Sequence, residues 1–283
     1  MRVAHRRLAP SRSACAVVGV LALAALGTAA CASGTSGTYA ASHPPSGPAT
    51  VYVALGGDDS AGSSVADPEH QDWPQLFFLD ALSRRSTLYD LGLPQGTSVE
   101  DLMGGEVSQA LSLHPQLVTV WVGLSDLLDG MSASLFGTDL RGVLSELGSS
   151  GARVLVANLL PVWRFPAYSS CESQPFSCGY AATLPPPSSL ESLEAAYDDA
   201  IQADASSAHA QVVDVARTFA GSLDPRAGSG SGNSSDPGSN GSGSIASGAN
   251  VSGPLVDDND LSLSPAGEQL VADAFEATYS VKR

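Results

Sequence analysis

Short apolar runs bounded by turn residues alternate along this chain with stretches whose apolar positions recur every three or four residues. Thr50–Leu55 (TVYVAL), Ser86–Leu91, Leu117–Val122, Arg153–Asn158 and Gln211–Val215 read as strands. Trp73–Arg84, Ser98–Ser112, Thr138–Leu147, Ser188–Ser206 and Pro265–Tyr279 carry helical spacing. This alternation predicts an α/β fold, a three-layer α/β/α sandwich around a five-stranded parallel sheet over residues 50–283. In such sheets ligands bind at the carboxyl ends of the strands, so the loops that follow strands are where chemistry is expected.

Two segments do not fit that alternation. Ala227–Gly253 is almost entirely Gly, Ser, Asn and Ala, too poor in apolar surface to offset its ordering entropy, and is expected to be a disordered surface insertion. Residues 1–30 carry Arg2, Arg6, Arg7 and Arg12, no acid, and an apolar run, Cys15–Ala30, that ends in small residues. That is the pattern of an export signal, and the run is shorter than the ~20 residues a membrane span needs. Thr28-Ala29-Ala30-Cys31 resembles a bacterial lipobox, which makes Cys31 a candidate lipidation site and residues 31–49, rich in Ser, Gly and Pro, a flexible tether. Ordinary secretion without the lipid is the alternative.

Charge and cysteines narrow the partners. Four of the 13 basic residues and none of the 29 acidic ones lie in the leader, so the remainder holds nine basic residues against 29 acidic, a net charge of −20. That excludes nucleic acid and electrostatic adhesion to anionic lipid as expected partners. The expected setting is the cell envelope, either lipid-anchored or secreted, as a monomer. Cys171 and Cys178 lie close together in an exported chain, so a local disulfide is the default, and two isolated cysteines are too few for a metal site.

The motifs sit where the sheet's carboxyl ends are expected. The first strand runs into Tyr52-Val-Ala-Leu-Gly-Gly-Asp-Asp-Ser-Ala-Gly62. The third runs into VTVWVGLSDLLDG, and the tail reads Asn259-Asp-Leu-Ser-Leu-Ser-Pro-Ala-Gly267. Taken in order, with Asn158-Leu-Leu-Pro161 and Phe165-Pro-Ala-Tyr168, these blocks resemble those of the SGNH (GDSL-type) hydrolases, from Thr50 to the C-terminus less the insertion. The resemblance implies the sandwich fold, ester hydrolysis by a Ser-His-Asp triad, and no cofactor.

The residues at the matching positions depart from that pattern. Asp58 falls on the nucleophilic serine, with Gly57 where the preceding aspartate belongs. In Asp90-Leu-Gly-Leu-Pro-Gln-Gly-Thr97, Gln95 falls on the oxyanion glycine, beside Gly96. Ser125 takes the place of the oxyanion asparagine, while Asp126 is retained. Asn259 and Ser262 take the places of the last aspartate and histidine. Beyond the leader the histidines are His43, His70, His114 and His209, and none follows His209, so a C-terminal Asp-x-x-His cannot be built.

A serine hydroxyl needs a base within hydrogen-bond reach, held in one tautomer, that later returns the proton. The expected state is therefore a family member without ordinary esterase activity that binds at most a glycan or acyl ester in the former cleft. One alternative is an active esterase with Ser60 as relocated nucleophile and His70 as its base. Another is a structural envelope lipoprotein with a filled cleft. Asp58, Asp59, Asp126, Asp257, Asp258 and Asp260 are all expected at one end of the sheet, where their oxygens could hold Ca²⁺ or Mg²⁺. The preferred reading is that they serve turns and helix caps, with no metal.

Overall fold

The computed structural model describes residues 47–94, 97–180, 183–220, 254–258 and 260–281, the side chain of residue 59 apart. The leader, Cys31, most of the expected tether and the insertion lie outside these residues. The tether's last residues do not: Ser83 Oγ donates to Pro48 O (2.9 Å) and Arg85 to Gly47 O (2.7 Å), so these two residues are bonded to the fold ahead of the first predicted strand residue.

Strands β1 (Val51–Gly56), β2 (Thr87–Asp90), β3 (Leu117–Trp121), β4 (Arg153–Ala157) and β5 (Gln211–Val213) form one sheet in the order β2-β1-β3-β4-β5. Every pairing is parallel, as the alternation predicts. The central strands are mostly apolar because both of their faces are covered; all five residues of β3, Thr119 included, are buried.

On one face lie α2 (Trp73–Ala81), entered through the short α1 (Pro68–Gln71), and α10 (Pro265–Ser280), packed on each other through rings. Trp73 stacks on Phe275 with centroids 4.2 Å apart, Phe77 meets Tyr52 edge-on at 5.3 Å, and Trp121 approaches Trp73 at 6.0 Å. On the other face α6 (Ala133–Ser149) packs against α8 (Pro187–Ser207), with Phe136 stacked on Tyr197 at 4.1 Å.

Several elements differ from expectation. The predicted helix over Ser98–Ser112 is three pieces: α3 (Val99–Asp101), a wide π-type turn (Leu102–Glu106) and α4 (Val107–Ser112). The helical run is interrupted at Gly105, which leaves helical backbone angles inside this turn. α5 (Leu124–Leu128) and α7 (Tyr168–Ser173) are too short to show a period, and α9 (Val215–Ala220) begins where β5 was expected to continue. α6 starts five residues early because Ser132 caps it, its side chain accepting from Leu135 N. Among the described residues no helix is long and apolar enough to cross a membrane.

α8 buries an acid among apolar neighbours. Glu194 lies in the stripe Leu190–Glu194–Tyr197–Ile201, 6% exposed, with Oε2 lacking a hydrogen-bond partner among the described residues. Burial, and then the charges of Asp198 and Glu191, push its carboxyl up to about 8. Asp72 is pushed up to about 7 by burial and by the Asp90 carboxyl beside it. Such groups hold more protons folded than unfolded, so their support is full below the ordinary value of 4.5 for Glu194 and is lost as pH rises through about 8. Thermal unfolding followed by circular dichroism is expected to show a midpoint falling from pH 5 to pH 8. Glu194→Gln is expected to flatten that slope, and an unchanged slope in this variant would exclude Glu194 as its source.

Candidate active site

Four loops at the carboxyl end of the sheet build one cleft. β1 ends at Gly56, and Gly57 N donates to Trp121 O at 3.4 Å, fastening the first loop to the end of β3. A 3-10 turn, Asp58–Ser60, follows, with Ser60 N bonded to Gly57 O at 2.9 Å. Asp58 opens this turn and lines the cleft. Ser60 points the other way. It is fully buried, and a Cβ placed on Gly56 would lie 2.2 Å from its Oγ and 2.6 Å from Trp121 O, so only glycine fits at position 56.

The loop after β2 is tied down by Leu93 N to Gly56 O (2.9 Å) and by Thr97 Oγ1 to Leu93 O (2.8 Å). Thr97 lines the cleft; Gln95, at the oxyanion position, lies outside the described residues. After β3, Gly123 turns the chain with φ +112°, a left-handed conformation, into α5. This places Ser125 in the cleft. Asp126 is 1% exposed and serves the frame, its Oδ2 accepting from Val99 N at 3.0 Å. Burial pushes its carboxyl up to about 6.

The final loop is an antiparallel turn. Val256 bridges Leu263, Asp257 N donates to Ser262 O (3.0 Å), and Ser264 N donates to Leu255 O (3.1 Å). It carries Asp260, Leu261 and Ser262 into the cleft. Asp260 Oδ1 accepts from Ser262 N at 2.8 Å and also from the Ser262 hydroxyl. Asn259 lies outside the described residues.

The cleft has a volume of about 680 Å³. Hydroxyls and carboxylates (Ser63, Ser64, Ser125, Asp58, Asp129, Asp260) share it with Trp121, Tyr180 and leucines 124, 128, 159 and 160. Among the described residues no lysine, arginine or histidine lines it.

The sequence positions matched to nucleophile, oxyanion asparagine and histidine, namely Asp58, Ser125 and Ser262, therefore do meet. Ser60 and His70 do not: the serine is sealed under its turn, while the His70 side chain is 71% exposed and bonds Asp67 at 3.0 Å. His114 and His209 precede β3 and β5, at the opposite end of the sheet. The six-aspartate cation cluster does not assemble either. Asp126 is turned into the frame and Asp258 is exposed, and among the described residues no group of three or more His, Cys, Asp or Glu is arranged to hold a metal ion. Cys171 and Cys178 are bridged, as expected.

Glu268 was not anticipated from the sequence. Fully buried at the start of α10, it accepts from Ser64 Oγ (3.1 Å) and Trp73 N (3.1 Å), joining the last loop's helix to the first loop and to α2. Its signal was an acid in the apolar stripe Glu268–Val271–Ala272–Phe275, where only a partnered carboxylate is tolerated.

The profile of the GDSL-like lipase/acylhydrolase family matches residues 54–236. The chain belongs to this family. No curated protein sequence matches it. Solved structures of family type share its fold at low identity. A member of the lipolytic protein G-D-S-L family from Veillonella parvula DSM 2008 has a TM-score of 0.55 at 14% identity, covering 82% of this chain and 100% of that one. An alpha/beta hydrolase enzyme from the metagenome of Lake Arreo, Spain, has a TM-score of 0.54 at 15% identity, covering 83% and 98%. A mutant of an acetyl-xylooligosaccharide esterase from Geobacillus Stearmophilus has a TM-score of 0.52 at 15% identity, covering 83% and 96%. Within this GDSL framework Glu268 ties the first and last blocks together. Glu268→Ala is expected to lower stability in urea unfolding by about 3 kcal/mol, because it leaves a buried N–H and a hydroxyl without their acceptor. Glu268→Gln, which keeps one acceptor oxygen, is expected to cost about half as much. Equal costs would mean that the charge or the second oxygen of the carboxylate, and not the one retained acceptor, matters at this site.

Proposed function

We propose that this protein is an exported cell-envelope member of the GDSL family that lacks ordinary esterase turnover and binds a neutral glycan or acyl ester in the cleft. The observation that supports this most directly is the cleft's composition: Asp58, Ser125 and Ser262 share it, and no histidine is among its described lining. Asp58 stands where the family's nucleophilic serine belongs, and its side chain lacks the hydroxyl that a triad would activate. The Ser262 hydroxyl donates to Asp260, which fixes the loop. Its open volume suits a ligand site and does not suit the filled cleft of a purely structural protein. With carboxylates and no lysine, arginine or histidine in its described lining, the cleft favours uncharged ligands over anionic ones. The arginine-rich leader, Cys31 and the disulfide support an oxidising, envelope location.

Hydrolysis of short-chain p-nitrophenyl esters by residues 32–283 tests the reading. The expected rate equals that of the heat-denatured protein and is unchanged by Ser60→Ala or His70→Ala. A variant with the family residues restored, Gly57→Asp, Asp58→Ser, Ser125→Asn, Asn259→Asp and Ser262→His, is expected to gain turnover. Activity of the parent that either single alanine variant abolishes would overturn the proposal.

A further inference from the structure

One wall of the cleft is built by a braced turn. Beyond α7 the chain makes a 3-10 turn, Pro175–Cys178, then reverses at Gly179 with φ +85° and continues to Tyr180, whose N–H donates to Pro175 O at 3.0 Å. Cys178 is bridged to Cys171, which is fully buried, with their Cα atoms 5.5 Å apart. Tyr168, 1% exposed at the start of α7, donates its hydroxyl to Pro185 O and closes the base of the excursion. The bridge spans only seven residues, so it restricts the unfolded chain less than a long-range bridge would. What it does in the folded protein is local: it holds Cys178, Gly179 and Tyr180 against the cleft.

Tyr180 is the one side chain of that wall with a flat face and a hydroxyl. The rest of the lining is rich in hydroxyl and carboxylate oxygens and has no described basic group. A sugar ring has an apolar C–H face and a rim of hydroxyls, and this lining matches both. Resting on the reading of the cleft as a ligand site, the geometry points to Tyr180 as the residue that contacts the ring of a neutral sugar and sets affinity, with the Cys171–Cys178 bridge as its positioning device. Phe176, at the tip of the same turn and 80% exposed, is not part of the cleft lining and serves as a control.

The test is a ¹H–¹⁵N chemical-shift titration of the purified protein with xylotetraose and, separately, tetra-N-acetylchitotetraose. Saturable shifts at cleft residues are expected with at least one. Tyr180→Ala and Tyr180→Leu are expected to weaken Kd about tenfold, Tyr180→Phe by no more than about twofold, and Phe176→Ala not at all. Cys171→Ser with Cys178→Ser is expected to weaken Kd by about threefold or more while circular dichroism stays unchanged. A Kd for Tyr180→Ala and Tyr180→Leu within about twofold of the parent would overturn the assignment of Tyr180 and leave the cleft reading standing. No saturable shift with either oligosaccharide would overturn the glycan reading and this inference together.

Discussion

The pairing of β1 with β3 sets the position of every other part of the cleft. The two strands run parallel in a register that places Gly56 beside Trp121, so the first and third loops leave the sheet side by side. The Gly57 N–H to Trp121 carbonyl bond fastens the exits together, and the bare Cα of Gly56 lets the Ser60 side chain tuck beneath the turn. Any residue with a Cβ at position 56 would collide with both Ser60 and the β3 carbonyl. Once these loops are fixed, the turn after β2 hangs from Gly56 O through Leu93, and the final loop is drawn in by its helix.

The sheet was legible in the sequence because buried parallel strands leave continuous apolar runs, and these survive any reading frame. The five strands were read from such runs; their order in the sheet was not. What was not legible depended on contacts between segments far apart in the chain. The direction of Ser60 is decided by Gly56 and the β3 carbonyl, which no local pattern reports. Asp126 appeared, by its place after a strand, to belong to the cleft, yet the amide of Val99 claims it. The short helices α5 and α7 have too few residues for a period to appear. The cleft positions Asp58, Ser125 and Ser262 were recoverable because the order of blocks, more than any single motif, carries the alignment.

The fold that carries the cleft is that of the GDSL-like lipase/acylhydrolase family. The described side chains that line the cleft are carboxylates, small hydroxyls, leucines and the rings of Trp121 and Tyr180. Binding needs shape and complementary polarity; acyl transfer also needs a group that changes protonation state during the reaction.

The tie between Ser64 and Glu268 joins residues 204 positions apart. A cleft closed by so distant a contact is among the last parts of the chain to form, because the entropy of closing that loop has to be met before the contact rewards it. During synthesis, α2 must wait with its aromatic face uncovered until α10, which supplies Phe275 and the carboxylate for Trp73 N–H, has left the ribosome. A chain stopped short of residue 265 would hold every strand of the sheet and still lack the helix that ties the last loop to the first.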